Sequence, residues 1–340
     1  MRCSATHLRV HLMAVFPMFA PGEAIKEVQV PVVDDAYSEG PESFQVKLTN
    51  PQGSTLGTLA IANVVIDDTV QPDRLNPNLE ADFFIRAHYL DFLGREPDQA
   101  GLAFWISTIT SCGTDQQCVE VKRINASAAF FLSIEFQHTG YLVERLYKVA
   151  YGDKIGTSTF NGPHQLAVPI INYDELLADA REISKGVVVN QGNWQQQLEN
   201  NKQAFTAEFV QRPRFITALP NSMSAVQFVD TLNANAGTPL SVEERNQLVN
   251  GLTAQTMTRA QVLRAVAEDP DLVSAEFDRA FVLMQYLGYL RRNPNDPLEI
   301  DYSGFDFWLT KLDQFHGNFV NAEMVKAFIA SIEYRQRFGP

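Results

Sequence analysis

The sequence predicts a mostly α fold: helical repeat units of about three or four short helices each, preceded by an antiparallel β segment too small to enclose a core of its own. Three observations predict it. Between Ile25 and Ile66 apolar and polar residues alternate with a period of two. From Glu80 onward apolar residues recur at spacings of three and four, as in Phe84, Ala87, His88 and Phe92, or Phe281, Met284, Tyr286 and Leu290. The pattern D-x-x-G-x-x-F-W occurs twice, at Asp98–Trp105 and at Asp301–Trp308.

Composition sets the frame. The 340 residues suit about two or three domains, and 45% apolar, 11% aromatic and 20% charged residues describe a chain that folds in water, with no apolar run long enough for a membrane span. A balance of 27 basic against 40 acidic residues, net −13, repels phosphate backbones and excludes nucleic acid as a partner. The same acidity suits divalent cations or a plainly solvated surface.

Residues 1–17 hold Arg2, Arg9 and a short apolar patch but no long apolar stretch or A-x-A site, so they read as an unassigned leader with a misassigned start, any export signal lying upstream. Over 18–70, Ile25, Val28, Val30 and Val32, then Phe44, Val46 and Leu48, then Ile61, Val64 and Ile66 define three strands broken by turn clusters at Asp34–Glu42 and Asn50–Gly53. The Pro- and Asn-bearing stretch 71–79 is a linker. Beyond it the pattern is helical to the end, in four related units, 80–140, 141–220, 221–276 and 277–340.

The first and last units share the most. Each D-x-x-G-x-x-F-W follows an Arg-x-Pro element, Arg95–Pro97 and Arg292–Pro294, with Tyr89 and Tyr286 upstream; each is followed by A-F-x-x-S-I-E-[FY], Ala129–Phe136 and Ala327–Tyr334. Architecture accounts for these residues. Proline ends the preceding helix, Asp98 and Asp301 are placed as N-caps, Gly101 and Gly304 permit close helix approach, and Trp105 and Trp308 are large core anchors. A cation or ligand site built on these aspartates with Glu135 or Glu333 is the competing reading.

Cys112 and Cys118 flank a short polar loop containing Gly113, between helical patterns. They are either two free thiols or a disulfide; polar surroundings are unusual for buried structural cysteines, and the glycine lets the loop close, so the bridge is the expectation and with it an oxidising compartment. The histidines His7, His11, His88, His138, His164 and His316 are scattered, and His88 reads as a packed side chain rather than a ligand. No C-x-x-C, H-E-x-x-H, glycine-rich phosphate loop or G-x-S-x-G occurs, and no catalytic residue is assigned. The 23 Phe, 10 Tyr and 3 Trp are mostly core by their helical spacing, with a glycan-stacking face as the alternative.

The stretches FAPGEAIKEVQVPVVDDAYSEGPESFQVKLTNPQGSTLG and AIANVVIDD resemble the C-terminal half of a Calx-beta domain over residues 19–70. That resemblance implies half of an immunoglobulin-like sandwich, a truncated antiparallel β segment, with calcium on Asp34, Asp35 and Glu39 of the central acidic loop and on Asp68 of the terminal one. Asp67 stands one position early, Thr69 replaces a frequently acidic position, and the front-half ligands are missing, so weak calcium binding is expected from a cation that wants about six to eight oxygens. YLDFLGREPDQAGLAFW and SAAFFLSIEFQHTGYLVERLYKVAYG resemble the bacterial domain of unknown function 4214, clearly over 83–152 and more weakly to residue 340. It implies a helical fold, an exported protein and no reaction. The expected function is a non-enzymatic structural or interaction module, extracytoplasmic at the cell surface or secreted, whose partner is a protein or a glycan. The alternatives are a glycan-binding or exopolysaccharide-associated module and, third, an enzyme.

Overall fold

The structure, a computed structural model, describes residues 42–48, 51, 53, 55–58, 60–66 and 76–338. The fold is mostly α, with a small antiparallel β segment ahead of the helices. Two compact units are distinguished: Ile85–Ala330, and the described residues up to Phe84 together with those from Ser331.

In the smaller unit, β1 (Glu42–Lys47) pairs antiparallel with β2 (Ile61–Ile66), from Glu42↔Ile66 to Lys47↔Ile61. Gln45 Nε2 donates to Asn63 Oδ1 across the ladder (3.0 Å), and the bond from Leu48 N to Ala60 O (2.9 Å) extends it by one step. Val46, Ile61, Val64 and Val65 are exposed, as two strands alone cannot cover a face. The first expected strand, around Val28–Val32, lies outside the described residues. The turn Pro77–Leu79 is capped by Asn76, whose side chain accepts from Asn78 N and donates to Arg335 O in α16 (Ile332–Gln336).

In the larger unit α1 (Ala81–His88), which the unit boundary crosses, runs into a π-helical turn, Tyr89–Leu93, then α2 (Gln99–Thr110), α3 (Gln116–Leu132), α4 (Ile134–His138) and α5 (Gly140–Tyr151). Helices α6 (Tyr173–Ser184), α7 (Trp194–Phe209), α8 (Pro213–Ala218), α9 (Ala225–Asn235), α10 (Val242–Thr253), α11 (Arg259–Ala267), α12 (Pro270–Ala275) and α13 (Phe277–Met284) follow. A second π-helical turn, Gln285–Leu290, leads to α14 (Ser303–Gln314) and α15 (Met324–Ile329). Local sequence fixes many of the starts: α6, α9, α10 and α11 each begin with a reciprocal capping box, such as Ser241 with Glu244, and Pro213 and Pro270 open α8 and α12.

The centre is α5, buried from Gly140 to Ala150, with α4, α6, α8, α9 and α11 packed around it. Between the outer repeats the two π turns meet: Phe92 and Tyr289 rings stand 5.1 Å apart, and a Cβ on Gly288 would lie 2.5 Å from Phe92, so only glycine admits this approach.

The expectation of uninterrupted helix after Glu80 is corrected at one place. Strands β3 (Lys154–Ser158) and β4 (His164–Val168) form an antiparallel hairpin, Lys154↔Val168 to Ser158↔His164. Its turn holds Asn161 (φ 56°) and Gly162 (φ 105°), closed by a bond from Gly162 N to Thr159 O of 3.1 Å. Asn-Gly is the strongest short-range hairpin signal, and here it overrides the surrounding helical pattern.

Candidate functional site

The structure places the two copies of the duplicated motif in matching environments. In the first, the π turn ends at Gly94 (φ 65°) and Arg95 N donates back to Tyr89 O (3.5 Å); in the second, Arg291 (φ 54°) ends it and Arg292 N donates to Tyr286 O (3.3 Å). Each arginine lies over the corresponding tyrosine ring, Arg95 at 5.1 Å and Arg292 at 5.3 Å. Gly101 and Gly304 face those tyrosine hydroxyls so closely that a Cβ at either would collide with them.

Trp105 and Trp308 are half-buried rather than core. They pack alike, on Phe130 (6.0 Å) and Phe328 (5.5 Å), each edge-on to its preceding phenylalanine, Phe104 and Phe307, which are exposed. Asp98 caps α2, accepting from Gly101 N at 2.9 Å. Asp301 does not cap α14; Tyr302 holds that position, and Asp301 accepts instead from Ser303 N (2.9 Å), the Ser303 side chain first and then this backbone bond holding its carboxyl low. The reason is the longer connection Asn295–Ile300 of the second copy, and the hairpin makes good the difference: Ser303 Oγ accepts from Thr159 N (2.7 Å), and Thr157 O accepts from Tyr302 N (2.8 Å).

Glu135 is buried and paired bidentately with Arg95, both contacts 2.7 Å. His88 is buried with Nε2 2.8 Å from Ser127 Oγ and its ring 5.5 Å from Tyr289. Cys112 and Cys118 are bonded with Cα atoms 5.6 Å apart; Asp115 between them caps α3, accepting from Gln117 and Cys118 N. Asp34, Asp35, Glu39 and Asp68 lie outside the described residues. Among the described residues no group of three or more His, Cys, Asp or Glu side chains is placed to hold a metal ion.

Two features had no sequence signal. An open cleft of about 800 Å³ is walled by Pro270, Val273 and Phe277 and bordered by Gln137, Glu268, Asp278 and His316. Burial and the nearby Asp313 raise the Asp278 carboxyl. Burial would raise Glu268 too, but the hydrogen bond from Lys202 and the Lys202 and Arg264 charges outweigh it and hold it low. The second feature lies behind this wall, where α5 meets α12 and α13 through side chains: Tyr141 Oη donates to Val273 O (2.5 Å), and Lys148, Asp153, Glu276 and Arg279 form a charged layer around buried Glu144.

One arrangement has the composition of a catalytic triad without its geometry. Ser158 Oγ donates to Asp306 Oδ2 (2.6 Å), and His164 Nε2 sits 3.1 Å from that same oxygen. Serine and histidine therefore share one carboxylate oxygen, and the serine donates to the aspartate rather than to the histidine.

Residues 15–70 match the Calx-beta domain, and residues 72–139 match the family described as Domain of unknown function (DUF4214). The DUF4214 match spans the π turn, α2, the disulfide loop and the S-I-E-F cap of α4. Both families are non-catalytic types that fit a structural or interaction module. No curated protein and no solved structure matches the chain. Among the described residues no helix is long and apolar enough to cross a membrane.

Proposed function

We propose that this chain is a non-enzymatic structural or interaction module of a bacterial cell-surface or secreted multidomain protein, its β part belonging to a calcium-associated stalk and its helical repeats presenting a surface to a protein or glycan partner. One observation carries the compartment: Cys112 and Cys118 stand at disulfide distance in a loop whose intervening residues are exposed, and solvent-facing bridges persist outside the reducing cytosol. Free-thiol counting on protein purified without reductant, in a Cys3→Ser background, tests it. No reactive thiol is expected; two per chain remove the support for an extracytoplasmic home.

The β part carries a matching expectation. Titration calorimetry with calcium gives weak binding or none, and a dissociation constant at or below about 1 µM, the range of sensor sites, refutes this. A second reading has its own observation. The cleft bordered by Gln137, Glu268, Asp278 and His316 beside Phe277 offers acceptors and one aromatic ring, the lining that a sugar uses. Specific, competable signals on a glycan array favour this reading, and a blank array removes it.

A further inference from the structure

We propose that buried Glu144 carries a proton beside Glu276 and makes the contact of α5 with α13 a proton-operated joint, closed at neutral pH and loosened when that proton is lost. The observation behind it is a mismatch of partners in the buried layer. Lys148 Nζ lies 2.6 Å from Asp153 and 3.4 Å from Glu276; Arg279 pairs with Asp153 through both nitrogens (3.0 and 3.1 Å) and reaches Glu276 at 3.4 Å. Two cations are thereby matched to two carboxylates. Arg145 gives Glu144 charge but no hydrogen bond: its Nε donates to Ala267 O at 2.7 Å, its guanidinium lies 3.9 Å over the Tyr141 ring, and its Nη1 is buried without a hydrogen-bond partner.

Glu144 is left over. It is 2% exposed and makes neither an ion pair nor a side-chain hydrogen bond among the described residues. Its Oε2 and the Oε2 of Glu276, 5% exposed, are both buried without a hydrogen-bond partner. A carboxylate without a hydrogen-bond partner in such a place is strongly disfavoured, and more so beside a second one; a proton on Glu144 removes its charge and with it the repulsion. Burial first, then the Glu276 charge, push the Glu144 carboxyl up to about 8, against the pull of Arg145, Arg279 and Lys148. Glu268 of the segment after α11 faces Arg145.

The joint lies where it can change a surface. Glu276 is the N-cap residue of α13, and the next two residues, Phe277 and Asp278, border the cleft. Backbone contact between α5 and α13 is slight, so side chains of this layer, with the Tyr141–Phe277 ring contact at 6.0 Å, hold the two together. Losing the proton places a charge without an ion-pair or hydrogen-bond partner in the layer, beside that of Glu276, and drives the first turn of α13 outward.

Hydrogen exchange of the full chain at about pH 6 and about pH 9.5, corrected for intrinsic rates, tests the joint. Protection of the α13 first turn is expected to fall about tenfold or more in the native sequence and to stay level in Glu144→Gln, where the proton is replaced by a permanent donor. Equal loss in both, or none in either, overturns the proposal. Should that variant not fold, Glu276→Gln with the same readout and carboxyl ¹³C titration of the native chain decide: no glutamate titrating well above the ordinary range overturns it.

Discussion

Placing a methyl group on Gly101 tests the claim that the repeated glycine exists for a packing reason. The Cβ of alanine would fall inside contact distance of the Tyr89 hydroxyl and 2.9 Å from Asp98 Oδ2. The aspartate can swing, but Tyr89 cannot: its ring is 6% exposed, edge-on to Phe130 at 5.0 Å and roofed by Arg95. Overpacking of this kind costs about 1–3 kcal/mol, and alanine returns up to about 1 kcal/mol of helix propensity, leaving Gly101→Ala destabilised by about 1–2 kcal/mol. Removing the offending oxygen with Tyr89→Phe should let the methyl fit, so the double mutant recovers about 1 kcal/mol or more relative to additivity. Gly304→Ala with Tyr286→Phe should repeat the result, since its Cβ meets the Tyr286 hydroxyl and lies 2.5 Å from Glu299 Oε2. Urea denaturation followed by tryptophan fluorescence reads it, because Trp105 and Trp308 lie about one turn further along the same helices. A Gly101→Ala protein more stable than the parent, or additive behaviour with Tyr89→Phe, refutes the reasoning.

Arg95→Ala leaves Glu135 buried and unpaired and should cost about 3–5 kcal/mol; Arg95→Lys should recover little, since it cannot make the two parallel 2.7 Å contacts, and a full rescue in denaturant melts argues against them. Reducing Cys112–Cys118 should lower stability by less than about 3 kcal/mol, because the ring is short, with the loss confined by hydrogen exchange to the α2–α3 loop; global unfolding contradicts that. Glu144 also predicts a pH profile. Its carboxyl sits near 8 in the folded chain against an ordinary 4.5, so its contribution to stability is complete below about 4.5, falls by up to about 1.4 kcal/mol per pH unit as pH rises towards 8, and is flat above. Glu144→Gln should flatten that part of the melting profile, and an unchanged slope excludes this glutamate as its source.

How much of this was legible in the sequence depends on the range of the interactions involved. Asp98, Ser133 and Ser331 act within their own helix starts, and their cap bonds to Gly101, Phe136 and Tyr334 follow from residue type and spacing. The glycine–tyrosine contacts were foreshadowed by the shared motif, since each tyrosine keeps its distance from the following proline. The hairpin was written in Asn161–Gly162 but was masked by helical patterns on both sides. The cleft and the charged layer were not legible at all. Glu144 and Glu276 are far apart in the chain, and on a helix wheel Glu144, Arg145 and Lys148 look like a solvated face, whereas α5 is enclosed on every side.

The same contrast explains how two copies of one motif can diverge and still pack alike. In the first copy the chain passes from Pro97 directly to Asp98, and that carboxylate both caps α2 and lies beside the Tyr89 hydroxyl. In the second, the inserted connection carries Asp301 away from the helix start, and Glu299 takes the place beside Gly304 and pairs with Arg292 at 3.2 Å. What remained missing was a partner for the helix terminus, which β3 and its turn supply through Thr157 and Thr159, while Asp306 in the first turn of α14 binds Ser158. An insertion in one repeat is thus matched by a hairpin inserted in another, remote in sequence. The exposed phenylalanines repeat the contrast on a smaller scale: Phe104 and Phe307 each pack edge-on to the tryptophan beside them, and Phe307 also meets Phe160 of the hairpin turn at 5.4 Å, which leaves Phe104 the more exposed of the two, 61% against 37%.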